Sequence, residues 1–150
     1  MIEGVIIKPL RRIPDERGTI YKMQESTDAE FAGFGEIYFS SIYPGIVKGW
    51  HLHKTATLNY TVIVGSIKLV LFDDRESSST RNEIQEIYIG EHNYSLIQIP
   101  PNIWNGFACV GNTMAIVADL INVPHKDDEM LRLQPHDNEL IPYQWGKVDR

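Results

Sequence analysis

Short apolar, β-branched runs recur along the chain: GVIIKPL (4–10), GEIYFSSIY (35–43), TVIVGSIKLVLF (61–72), EIQEIYI (83–89), YSLIQI (94–99) and TMAIVADLINV (113–123). Runs of this length suit strands, and the glycines and prolines between them supply turns. Helical signals are weak and confined to 27–32 and 125–133. Gly65-Ser66 lies between two alternating runs with glycine at the first turn position, which predicts a type II′ hairpin over Val62 to Phe72. A chain of many short strands must close its edges and fill its interior. The expectation is therefore an all-β fold, a small barrel or double-sheet jelly roll whose interior can hold a ligand.

With 150 residues, 43% of them hydrophobic, the chain suits a single domain over 1–150 with a real core. No internal repeat or linker divides it. A net charge of −6 opposes a nucleic-acid surface, which depends on clustered Lys and Arg. Small anionic ligands need only a few local cations, and Arg11, Arg12, Arg17, Lys22 and Lys48 all fall in the first third. No apolar run reaches the ~18 residues of a membrane helix. Cys109 has no disulfide partner in the chain, and MIEGVIIK lacks the basic-then-apolar layout of a secretion signal. A cytoplasmic protein without membrane contact is expected.

The stretch KGWHLHKT (48–55) carries the chemistry. On a strand, His51 and His53 share one face, with Trp50 and Leu52 on the other. Such a pair can be held by hydrogen bonds in the fold, can ligate a metal, or can move protons. Imidazole titrates near neutrality, which suits it to removing a proton beside a carbonyl.

Four stretches, in order, resemble the dTDP-4-dehydrorhamnose 3,5-epimerase family of cupin-fold enzymes. IPDERGTIYK (13–22) is similar to its D-x-RG segment and GIVKGWHLH (45–53) to its LRGLHxQ strand. VGSIKLVLFDDRESSST (64–80) is similar to VxGxxxDVxVDxRxxSPT, and NYSLIQIPPNIWNGF (93–107) to a loop ending IPxGFAHGF. The resemblance implies a double-stranded β-helix, or jelly-roll cupin, acting on nucleotide-linked 4-keto-6-deoxy sugars with no metal or redox cofactor. A ketone at C4 acidifies the hydrogens at C3 and C5. One base can then remove a proton, leave an enolate, and let a donor on the other face invert the centre. By this resemblance His51 falls on the base, Arg17 on an arginine that contacts the nucleotide, and Lys48 on an arginine toward the diphosphate. Asn105 falls on the second active-site histidine, in a loop from Trp104 to Phe107 expected at the mouth. Glu36, Tyr38 and Ser40 align with Gln, Asn and Ser, and period two turns all three toward the sugar. His53 joins the substrate contacts. Lys48 would point away from His51 on an ideal strand, so its role requires a bend at Gly49. Metal-binding cupins complete the HxH pair with a glutamate and a distant histidine. Leu58 and Asn105 stand in those places, and no metal site is expected.

The departures from the family pattern shape the expected activity. The family's acid is a tyrosine on a late strand, but 113–123 contains none. Tyr38 or a water is expected to supply the second proton, with inversion expected at C3 and inversion at C5 left open. The family's base pairs with an aspartate in a C-terminal extension, so here it needs another orienting partner. An interior lysine and aspartate become Leu58 and Leu69, removing two charges together. Lys22 replaces a glutamate that accepts the N3 hydrogen of thymine. A donor there suits cytosine, so the expected carrier is CDP or dTDP. The family also implies a homodimer that exchanges N-terminal strands, and products bound for cell-surface polysaccharides such as lipopolysaccharide O-antigen, or for natural products. A non-catalytic sugar-nucleotide-binding cupin and a metal-dependent cupin enzyme are the alternative readings.

Overall fold

A computed structural model describes residues 1–146. Its strands are β1 (Ile6–Pro9), β2 (Arg12–Asp15), β3 (Gly18–Tyr21), β4 (Glu36–Ile42), β5 (Val47–His53) and β6 (Leu58–Val64). They continue with β7 (Ser66–Asp73), β8 (Ile84–Gly90), β9 (Ser95–Ile99), β10 (Ile103–Cys109), β11 (Ala115–Ile121) and β12 (Met130–Arg132). A 3-10 turn, Asp127–Glu129, precedes β12. Two five-stranded antiparallel sheets have the orders β1-β9-β6-β11-β4 and β12-β5-β10-β7-β8, and β2 pairs with β3 in a separate two-stranded sheet. This is the expected all-β jelly roll.

Strand alternation explains where the core sits. Ile67, Leu69 and Leu71 of β7 face the space between the sheets, where they meet Leu58, Val62, Ile97 and Val117. Val70 and Phe72, on the opposite parity, join Trp50, Leu52 and Trp104 in a second cluster on the outer face of the second sheet. Ile141 and Trp145 of the C-terminal segment cover that cluster. A strand buried on both faces reads as a continuous apolar run, as IKLVLF does. Leu58 and Leu69 share the main core, so the two charges expected to vanish together vanish from one apolar interior.

The hairpin expected at Gly65-Ser66 does not form. β6 lies between β9 and β11 in the first sheet, and β7 lies between β10 and β8 in the second. Gly65, at φ 71°, is instead the corner where the chain changes sheets, and a Cβ there would sit 2.6 Å from the Met114 carbonyl oxygen. Local turn chemistry is the same in both cases; the distant strands β9, β10 and β11 decide the pairing. The helical signal at 125–133 resolves into the 3-10 turn and β12, and 27–32 forms turns. Residues 104–107 lie within the central strand β10, not in a loop.

Two features lie at the periphery of the sheets. The β2–β3 hairpin is exposed at every position, including Ile13, Ile20 and Tyr21. At the β7–β8 connection, DDRESSST folds around the buried Asp73. That carboxylate accepts Arg75 Nε and Nη2 at 2.9 Å each, Ser78 Oγ at 2.6 Å and Thr80 Oγ1 at 2.7 Å. Burial works against its charge, but Arg75, Ser78 and Thr80 together hold its pKa below the usual carboxylate range.

Candidate active site

A cavity of about 330 Å³ opens between the two sheets. One wall comes from β4, β6 and β11, the other from β5 and β12. Period two on β4 turns Glu36, Tyr38 and Ser40 into the cavity, as the sequence predicts. On β5, His51 and His53 face the cavity while Trp50 and Leu52 pack in the outer cluster.

Lys48 also faces the cavity, and the register shows why. Asn105 of β10 stands opposite His51, but Phe107 stands opposite Lys48, so β5 carries one extra residue in between. A bulge of this kind reverses the parity of the strand. It occurs where two backbones meet closely, since a Cβ on Gly49 would lie 2.9 Å from the Gly106 Cα. The bend expected at Gly49 is thus present. Lys48 Nζ donates to Ser40 Oγ at 2.9 Å and to the Ser41 carbonyl at 2.6 Å, bridging the two walls.

The two histidines differ. His51 is half-buried, and its pKa is lowered to about 4 by burial first and then by the positive charge of Arg132, with smaller effects of His53 and Lys48. It is therefore neutral at pH 7 and able to accept a proton. His53 is buried, with Nδ1 2.5 Å from Glu129 Oε1. Glu129 Oε2 also accepts the backbone N–H groups of Lys54 at 3.1 Å and Thr55 at 3.2 Å. The sequence leaves the orienting partner of His51 unnamed, and the carboxylate found here, Glu129, holds its neighbour His53 instead.

On the facing wall, Tyr38 Oη donates to Asp119 Oδ2 at 2.7 Å. Asp119 lies on β11 with Tyr38 and Tyr60 as its cross-strand partners on either side. Burial raises its pKa to about 7 against the opposing hydrogen bonds of Tyr38 and the Asn59 backbone. The Tyr38 phenol is pushed up as well, by burial and then by the nearby Asp119 charge. Tyr60 Oη donates to Asn105 Oδ1 at 3.2 Å.

Three expected contacts lie elsewhere. Asn105 is buried behind the cavity wall: its oxygen accepts from Tyr60 and its Nδ2 donates to the His51 carbonyl at 3.1 Å. With both ends of its amide engaged it supports the wall rather than facing a ligand. Arg17 is at the tip of the exposed β2–β3 hairpin, paired with Asp15 at 2.6 Å. Lys22 pairs with Glu25 beside a shallow groove that also contains Lys8 and Arg11. Neither cation lines the cavity of its own chain. Conversely, Asp119, Tyr60, Glu129 and Arg132 were not anticipated. Asp119 did leave a signal, because it shares the inward parity of Ala115, Val117 and Ile121, where a carboxyl group is out of place. Arg132 sits on a three-residue strand opposite His51, a pairing that no local pattern announces.

Among the described residues no three His, Cys, Asp or Glu side chains converge as metal ligands would, and no helix is long and apolar enough to cross a membrane.

Comparison with known proteins adds to this geometry. A family model described as dTDP-4-dehydrorhamnose 3,5-epimerase matches residues 1–148. The chain is 34% identical over 144 residues to the probable low-salt glycan biosynthesis epimerase Agl13 of Haloferax volcanii, covering 95% of this chain and 88% of that one. It is 30% identical over 147 residues to the spore coat polysaccharide biosynthesis protein SpsL of Bacillus subtilis, covering 97% of each. The crystal structure of a dTDP sugar isomerase from Desulfovibrio desulfuricans G20 superposes with a TM-score of 0.94 at 40% identity, over 99% of this chain and 94% of that one.

Proposed function

The chain belongs to the dTDP-4-dehydrorhamnose 3,5-epimerase family, and from that premise we propose that it inverts C3 of a nucleotide-linked 4-keto-6-deoxyhexose, with His51 as base and Tyr38 as acid. The observation that carries this reading is that His51 and Tyr38 line opposite walls of one cavity. Inversion requires a base on one face of the ring and a donor on the other. His51 is neutral and can take the C3 hydrogen, made acidic by the C4 ketone, and Tyr38 can return a proton to the opposite face of the enolate. Neither step calls for a metal or redox cofactor, and treatment with a chelator should leave the rate unchanged.

The cations fit the charge of the substrate. Lys48 and Arg132 stand at the cavity beside His51 and depress its basicity. A diphosphate seated against them would offset that effect and strengthen the base only once the substrate is bound. Arg17 and Lys22 can contribute through a homodimer in which the exposed β2–β3 hairpin reaches a second subunit. The carrier is dTDP or CDP. The named isomerase favours dTDP, and a donor at Lys22 favours CDP; competitive calorimetry with the two nucleotides decides between them. The names of the two curated relatives support a product destined for a glycan.

The test is incubation with dTDP-4-keto-6-deoxyglucose and its CDP analogue in deuterated water, read by NMR. Deuterium should appear at C3 with inversion, and His51→Asn should slow both by about 10²–10⁴. Binding without exchange in the native protein would favour the non-catalytic module, and an unchanged rate in His51→Asn would remove the base assignment.

A further inference from the structure

Taking the proposed epimerase chemistry as its basis, we infer that Asp119 is the proton store behind Tyr38: as a carboxylic acid it donates to the phenol oxygen, which frees the phenol hydrogen to protonate the enolate opposite His51. Asp119 acts through Tyr38 and is a positioning and relay residue.

Hydrogen-bond donors around Asp119 are few. It is 1% exposed, yet among the described residues its carboxyl meets only Tyr38 Oη at 2.7 Å and a long contact of 3.3 Å from the Asn59 backbone N–H. An ionised carboxylate buried this deeply calls for more donors or a cation. Among the described residues the surrounding groups do not supply one. From β4, Glu36 adds negative charge. From β6, Tyr60 directs its hydrogen to Asn105. Across the cavity, Lys48 is held by Ser40 and Ser41, and His53 is held by Glu129. His51 is neutral, Arg132 stands beside it on β12, and His125, which follows β11, contacts Asp127. The acid form is thus substantially populated at neutral pH, in keeping with a pKa near 7.

Protonation of Asp119 changes what Tyr38 can do. When Asp119 is ionised, the Tyr38 hydrogen is committed to it and the phenol is a poor acid. When Asp119 is protonated, its O–H can point to the phenol oxygen and release that hydrogen toward the cavity. The enolate carbon then gains a hydrogen as the Tyr38 O–H bond breaks, and the Tyr38 O–H bond re-forms as the Asp119 O–H bond breaks. The step ends with a carboxylate accepting from Tyr38 and an imidazolium at His51. Solvent carries the proton from imidazolium back to carboxylate, and no other reactant is needed.

The test separates exchange from inversion on dTDP-4-keto-6-deoxyglucose in deuterated water. His51 alone can wash deuterium into C3 with retention, whereas inversion requires the relay. Asp119→Asn keeps the size of the side chain and a hydrogen bond to Tyr38 but cannot release a proton. It should lower inversion by about 100-fold or more while exchange stays within about threefold of native. In the native enzyme the ratio of inversion to exchange should fall about tenfold per pH unit above pH ~7.5, as the acid form is depleted. Tyr38→Phe with this native pH profile decides the matter should Asp119→Asn not fold, and it should likewise keep exchange and lose inversion. Near-native inversion in Asp119→Asn, equal loss of both readouts in a folded variant, or a ratio flat from pH 6 to about 9 would each overturn the relay. Absence of exchange in the native enzyme would instead overturn the epimerase reading itself.

Discussion

Asp73 and Asp119 have almost the same burial, 0% and 1% exposed, yet their surroundings push their titrations in opposite directions. Asp73 is encircled by its own loop: Arg75, Ser78 and Thr80 are two, five and seven residues away, and all of them donate to it. Asp119 draws its partners from neighbouring strands and has one strong donor, itself a weak acid. Burial opposes the charge in both. The supply of donors decides which carboxyl stays ionised and which can hold a proton at neutral pH. One arrangement stabilises a loop, and the other leaves a titratable group at a cavity.

The largest effect should come from the satisfied carboxylate. Asp73→Ala strands Arg75 and two hydroxyls, and should cost about 3 kcal/mol of stability in urea or thermal unfolding. Because its folded pKa is depressed, the stability Asp73 supplies is present above its unfolded pKa near 4 and is lost as pH falls below that value. A loss under ~1 kcal/mol would mean that the loop's hydrogen bonds add little beyond those to water, and the contrast would weaken.

Asp119→Asn should act with the opposite sign. A folded pKa raised to about 7 means that the contribution of Asp119 is complete below its unfolded pKa and is lost as pH rises through about 7. Melting temperatures of native protein and variant should therefore be similar near pH 4 and diverge as pH rises. At pH 8.5 the variant should be the more stable by on the order of 1 kcal/mol, because it no longer buries a charge. A stability difference between native protein and variant that stays constant over this range would show Asp119 to be an ordinary ionised carboxylate.

These two aspartates also show what sequence can and cannot reveal. The surroundings of Asp73 are written in one contiguous stretch, DDRESSST, and resemblance to a family motif is enough to find them. Period two likewise gives the inward set of β4 and the shared face of His51 and His53, since both are properties of a single strand. Asp119 needs β4 and β6 to become unusual, and the HxH stretch gives no hint that Glu129, 76 residues beyond His53, will hold that ring. The absent hairpin at Gly65 and the strand hidden in NIWNGF have the same origin. A glycine records a sharp local path, but distant chain segments determine whether the flanking strands pair or part.

The smallest effect probes the donor count directly. Tyr38→Phe removes the strongest hydrogen bond that favours ionised Asp119, so its carboxyl pKa should move above about 7, visible in the pH dependence of its ¹³C carboxyl resonance. Ser78→Ala removes one of several donors from Asp73, costing about 1 kcal/mol of stability. Arg75 and Thr80 remain, so the Asp73 resonance should still be that of a carboxylate at every pH above about 4. The two hydroxyl deletions are chemically similar, and only the number of donors left behind differs. If Tyr38→Phe left the Asp119 titration where it was, the phenol would not be coupled to the carboxyl. The proton relay would then lose its first link even though both side chains still line the cavity.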